Sequence, residues 1–135
     1  MAAVAELGDD VARVGFDLPL RANLSALDNI ALIPLYQRHY GAAEASQQAQ
    51  ALLTLLGHAD IASLRDPDMT PSQRFVTQLA RALILKRPRL VIDRPGATLY
   101  DVPYPRFIRQ LADQANTIGT WEIFDFSWNQ ALYSE

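Results

Sequence analysis

Residues 69–95 read MTPSQRFVTQLARALILKRPRLVIDRP, and this stretch decides the fold. It opens on a helix-start signal. Thr70 is a capping residue, Pro71 takes the first helical position, where a missing N–H costs nothing, and Gln73 closes a capping box. Phe75, Val76, Leu79, Ala80, Leu83 and Ile84 then recur at helical spacing, in a stripe broad enough for a buried helix. Lys86 and Arg87 suit the negative end of the helix dipole, and Pro88 stops the helix. Leu90-Val91-Ile92 follows as an apolar run without alternation, the pattern of a strand covered on both faces.

Outward from this core the same logic holds. Upstream, residues 11–18 (VARVGFDL) alternate roughly and read as a short strand. Ser25 with Asp28 resembles a capping box for a helix through Leu27, Ile30 and Ala31 to about Leu35, which Pro34 should kink or end. Residues 43–56 place Ala49, Leu52, Leu53 and Leu56 at helical spacing, and Gly57 suits the position just past the helix end. A short helix is expected over 61–64, then a turn at Asp66-Pro67-Asp68. Downstream, a Pro/Gly-rich loop over 95–105 precedes an amphipathic helix marked by Phe107, Ile108, Leu111 and Ala115. A strand is expected over 117–124 and a short helix over 127–135. The order predicts one α/β domain over 1–135. It has a small parallel sheet of about three strands, around Val14, Val91 and Ile123, with flanking helices, right-handed crossovers and an inserted helical subdomain over 24–68.

The 69–95 stretch also resembles the signature-to-Walker-B segment of ABC ATPases, whose usual form is LSGGQxQRVAIARAL, a proline, then an apolar strand ending in DEP. The spacing matches without a gap. Ala80-Arg81-Ala82-Leu83 fall on ARAL, Pro88 on the proline and Asp93 on the Walker B aspartate. Val14-Gly15-Phe16 looks like the strand entering the Q-loop. Leu27-Asp28-Asn29-Ile30-Ala31-Leu32 looks like the V-x-D-N-V-A-L segment that opens the family's helical subdomain, and PLYQRHYG (34–41) faintly resembles members serving lipid-transport systems. The resemblance covers about residues 11–130 and implies the second half of an ABC ATPase domain.

It also implies that the chemistry has been lost. Phosphoryl transfer here requires a phosphate-cradling loop, a magnesium ion, a base for water and a donor to the γ-phosphate. The chain contains no G-x-x-x-x-G-K-[ST] loop. By position, the Q-loop glutamine falls on Pro19 and the catalytic glutamate on Arg94, which stays protonated and cannot be a base. The switch histidine falls near Phe124 and the D-loop aspartate on Tyr100. Met69-Thr70-Pro71-Ser72-Gln73 stands for LSGGQ, with both glycines replaced. Thr70, Ser72 and Gln73 remain as candidates to touch a partner's phosphate at a helix N-terminus; the alternative is a plain capping box. Asp93 is a relic of the metal set, expected to be ion-paired or solvated rather than metal-binding. Arg94, Tyr100 and Tyr104 are candidates for a protein interface, with exposed turn residues as the alternative.

Composition narrows the rest. Of the 135 residues, 50% are hydrophobic and 20% charged, with net charge −3, so no basic footprint for nucleic acid is present. The absence of cysteine excludes disulfides and thiolate chemistry, and the two histidines, His39 and His58, lie far from any metal-ligand spacing. No apolar run reaches the roughly 20 residues of a membrane span. The expectation is therefore a cytoplasmic, non-hydrolysing interaction or regulatory module. It binds no cofactor of its own, with ATP and magnesium only through a partner. It works as a homodimer or on an ABC-transporter component, reaching the inner face of a membrane only through that partner. The competing expectations are a residual ATP-binding subunit lending its signature-like face to a partner ATPase, and an enzyme of another class built around Asp93, Arg94, Tyr100 and Tyr104.

Overall fold

The computed structural model describes residues 11–15, 17–37, 39–97, 99–115, 120–124 and 129–131. Phe16, the first part of the expected strand at 117–119, and both ends of the expected helix over 127–135 lie outside them.

Strand β1 (Val11–Val14) leads through a loop to helix α1 (Ala26–Gln37) and helix α2 (Ala42–Leu55). Two short 3-10 turns, Ala59–Ile61 and Asp66–Asp68, bring the chain to helix α3 (Pro71–Leu83). Strand β2 (Arg89–Asp93), a 3-10 turn (Pro95–Ala97), helix α4 (Tyr104–Ala115), strand β3 (Thr120–Phe124) and strand β4 (Asn129–Ala131) complete the order. Among the described residues the sheet runs β1-β2-β3-β4. The first three strands are parallel, and β4 is antiparallel on the outer edge of β3. The architecture is α/β, with a three-stranded parallel sheet, flanking helices and a helical block between β1 and β2. No helix among the described residues is long and apolar enough to cross a membrane.

Helix α3 is the spine. Phe75, Val76, Leu79 and Ala80 are all at or below 1% exposure, and Thr77 and Gln78 are buried with them. Burial on nearly every side places this helix between the sheet and the helical block. Its start is as the residues require: the Thr70 hydroxyl accepts from the Gln73 amide, and the Gln73 side chain accepts from the Thr70 amide. Buried Val91 and Ile92 put β2 in the middle of the sheet, where its apolar run belongs.

Four local expectations change. Helix α1 runs through Pro34 to Gln37 instead of ending there. Burial of Ile30, Ala31 and Pro34 itself offsets the lost hydrogen bond. The turn expected at 61–64 forms earlier, at Ala59–Ile61, because the Ala62 and Leu64 carbonyls are used elsewhere. They accept from Leu27 and Ala26 and so satisfy the first amides of α1. Helix α3 ends at Leu83, and Lys86 turns away in a left-handed conformation (φ 56°) before Pro88 is reached. Asn129–Ala131, expected in a helix, pair as β4, since a free edge on β3 offers unpaired backbone groups. Gly57 does occupy the left-handed position after α2, at φ 82°.

Asn29, 1% exposed, ties the loop before α1. Its carbonyl oxygen accepts from the Arg21 amide at 2.9 Å, and its amide donates to the Arg21, Leu24 and Ser25 carbonyls at 3.2, 3.3 and 3.0 Å. Asn29→Ala is expected to cost about 2–3 kcal/mol, because it removes a buried side chain that makes four hydrogen bonds to the loop backbone. Exposed Asp28→Ala should cost under about 1 kcal/mol. Urea denaturation of both variants checks the contrast.

Candidate functional site

The C-terminal ends of the parallel strands, where such sheets hold ligands, carry a cluster of four charged side chains. Asp93 closes β2 with its side chain only 4% exposed. Arg13, on β1, approaches it at 3.8 Å through Nη2, and the same nitrogen hydrogen-bonds Asp17. Arg94 comes to 3.5 Å of the other Asp93 oxygen. Two carboxylates thus meet two guanidiniums, and the cluster is formally neutral. The bond from Arg13 holds the Asp17 carboxyl below its usual range, against the opposing effect of burial.

The backbone is shaped to make this possible. Gly15 leaves room for this pairing: a Cβ there would stand 2.7 Å from an Asp17 oxygen and push that side chain aside. Arg94 adopts φ 51°, which costs a non-glycine residue roughly 1–2 kcal/mol. Arg13 Nε is buried with no hydrogen-bond partner. Strain and an orphaned donor at one spot show that tertiary structure imposes this arrangement on local preference.

The loop after β1 is fixed from below by α3. Arg81 donates to the carbonyl of Pro19 at 2.9 Å and also to that of Leu18, and Gln78 donates to Leu18 at 3.3 Å. Burial draws the Arg81 pKa down, yet an arginine remains charged at neutral pH. The arginine of the ARAL-like run therefore holds the loop that carries Pro19.

At the other candidate corner, the first turn of α3 is already occupied. The Ser72 amide and hydroxyl both donate to one oxygen of Asp101, at 3.2 and 2.9 Å. Gln73 is engaged with Thr70, and the Arg74 amide bonds the Thr70 carbonyl at 2.9 Å. Pro71 has no N–H to give. An internal carboxylate sits where a helix N-terminus would receive an external anion.

The remaining expected residues separate. Tyr100 is 76% exposed, but Tyr104, the first residue of α4, is half-buried and packs against the core. Arg94, Tyr100 and Tyr104 are therefore not equally available to a partner, because the loop is pinned between them by buried Leu99. Among the described residues no group of three His, Asp or Glu side chains is placed to hold a metal ion. Phe124 lies on β3 opposite Asp93 in register.

Sequence reasoning missed Arg13 and Asp101. An arginine in an otherwise apolar strand was the available signal for the first. For the second it was an acid one residue past the position where the resemblance asks for an aspartate.

No known family model matches the chain. Among solved structures 223 chains match it. One is the ATP-binding cassette MJ0796, solved as a dimer in a post-hydrolysis state bound to ADP and Pi. It aligns at TM-score 0.66 and 14% identity over 99% of this chain and 68% of its own length. The fold is thus that of an ABC ATPase domain.

Arg13→Ala is expected to cost about 3 kcal/mol, since it leaves Asp93 buried without its inner cation. Replacing both charges together, Arg13→Met with Asp93→Asn, should cost less than the single change. A single-variant cost below about 1 kcal/mol in chemical denaturation would contradict the role given to Arg13. The depressed Asp17 pKa stabilises the folded chain above the ordinary carboxylate value. That contribution fades as pH falls through the lowered folded value. Wild type and Asp17→Asn should therefore converge in stability on acidification.

Proposed function

We propose that this chain is a non-hydrolysing ABC-ATPase-like protein that works as an interaction or regulatory module, associated with an ABC transporter or a complete ATPase. The observation that carries this reading is the saturation of Asp93. The carboxylate that the resemblance aligns with a metal-binding aspartate faces two guanidiniums, Arg13 and Arg94. A divalent cation would have to displace at least one of them against direct charge repulsion. Arg94, at the position the resemblance assigns to the catalytic base, cannot accept a proton. This chain on its own then has the scaffold of a nucleotide-binding domain without the groups that activate water.

On this reading the function is association. The docking element is the helical block of α1 and α2, with Tyr36 (70% exposed) and Leu55 (48%) presenting apolar surface. The partner is a second copy or a transporter component, reached in the cytoplasm at the inner face of a membrane. That the fold neighbour MJ0796 is itself dimeric supports pairing as the working state.

A second reading keeps one observation in its favour. Ser72 stands in the first turn of α3, and among the described residues Asp101 is what covers its amide. A residual nucleotide-binding subunit would swing Asp101 aside and present Thr70, Ser72 and Gln73 to a partner's ATP.

Calorimetric titration with Mg-ATP and a phosphate-release assay should give neither binding heat nor turnover for the chain alone, and gel filtration should show an assembly larger than one chain. Turnover by the purified chain would sink the proposal. Mg-ATP-dependent association that strengthens in Asp101→Ala would select the second reading.

A further inference from the structure

A second feature lies at the opposite end of the sheet from Asp93 and does not depend on the function proposed above. A cleft of about 540 Å³ opens at the N-terminal ends of β2 and β3. Its floor is one row of the sheet, Ala12, Leu90 and Trp121, which are Cα partners across β1, β2 and β3 and so share a face. Its walls are apolar side chains from the ends of three helices, Leu52, Leu83 and Ala115 among them. The volume falls within the range of small-molecule sites, roughly 300–1,000 Å³.

The rim is cationic. Arg87 is engaged, donating to the Val11 carbonyl at 2.9 Å. Lys86 is different: it is exposed, and its ammonium makes no ion pair among the described residues. It also sits at φ 56°, just past the end of α3, where glycine is the least strained residue. A lysine there is conformationally unfavourable, and its charge overhangs the mouth of an apolar cleft.

We propose that this cleft binds a free straight-chain monocarboxylate of medium length, the alkyl chain lying over Ala12, Leu90 and Trp121 and the carboxylate pairing with Lys86. Apolar burial supplies the affinity. The exposed Lys86 ammonium orients the ligand and sets the preference for an acid over a neutral chain of equal length. A dianionic or polar ligand is disfavoured, because the floor offers its body no polar group beyond the Trp121 indole N–H.

Trp121 reports occupancy directly. The chain has two tryptophans, so Trp128→Phe leaves Trp121 as the sole emitter. In that background decanoate, below its micelle concentration, should shift Trp121 emission saturably, and decanol should bind about fivefold more weakly. Lys86→Gly should abolish this preference while raising the thermal midpoint, so weaker binding cannot be read as unfolding. Ala82 lines the cleft beside Leu83, so Ala115→Phe and Ala82→Leu each fill it and should remove the response. If one of them does not fold, the other carries the test. Absence of a saturable decanoate response, equal affinity for decanoate and decanol, or unaltered binding in a folded cleft-filling variant would each overturn the assignment. So would a dimer in sedimentation that dissociates in Ala115→Phe, since the cleft would then belong to a second copy.

Discussion

Asp93 ends the central strand with its carboxylate almost wholly out of water, and a buried charge of that kind has to find compensation inside its own fold. Much of the geometry around the C-terminal end of the sheet follows from that need. Arg13 comes from the neighbouring strand, which the parallel register brings alongside. Gly15 leaves the space in which Asp17 turns back and shares the same guanidinium. Arg94 accepts a left-handed backbone while its side chain reaches Asp93 from the other side. Four charges are neutralised locally, by one another.

Helix α3 connects that corner to the rest of the molecule. Through Arg81 and Gln78 it holds the loop after β1, so the same helix that builds the core positions the charge cluster. Its N-terminus is closed by Asp101 and its own capping box, and its C-terminus turns out through Lys86. The two ends of the sheet therefore differ in kind. One is polar and lined by paired charges, the other apolar with the exposed Lys86 at its rim. The fold is that of an ABC ATPase domain, and the charged side chains at the C-terminal ends of its parallel strands bond to one another.

The elements that were legible in the sequence are those set by local patterning. The α3 start needed only Thr70, Pro71 and Gln73 within four residues, and β2 needed only an apolar run before Asp93. Gly57 declared the end of α2 through its own backbone freedom. The errors fall where a distant partner overrode a local signal. Pro34 reads as a stop, yet packing on the core carries α1 past it. Asn129–Ala131 read as helical, yet the open edge of β3 draws them into a strand. At the site, Thr70, Ser72 and Gln73 were visible as a helix start, but nothing local says that Asp101, 29 residues on, fills the Ser72 donors. Tyr100 and Tyr104 looked alike, and only the packing of α4 separates an exposed ring from one laid against the core.

From the order of residues alone came the α/β class, the parallel strands around Val14, Val91 and Ile123, the inserted helical block and the position of Asp93 at a strand end. Hydrophobic period and capping chemistry are properties of neighbouring residues and can be read without a fold. Which charges meet was decided by tertiary structure. Arg13 and Asp93 are far apart along the chain and become partners because parallel strands lie side by side. So do Ser72 and Asp101, because a loop crosses a helix end. Coulombic pairing and cleft shape depend on distances in space, which the fold sets only once burial of α3 has drawn the sheet and helices together.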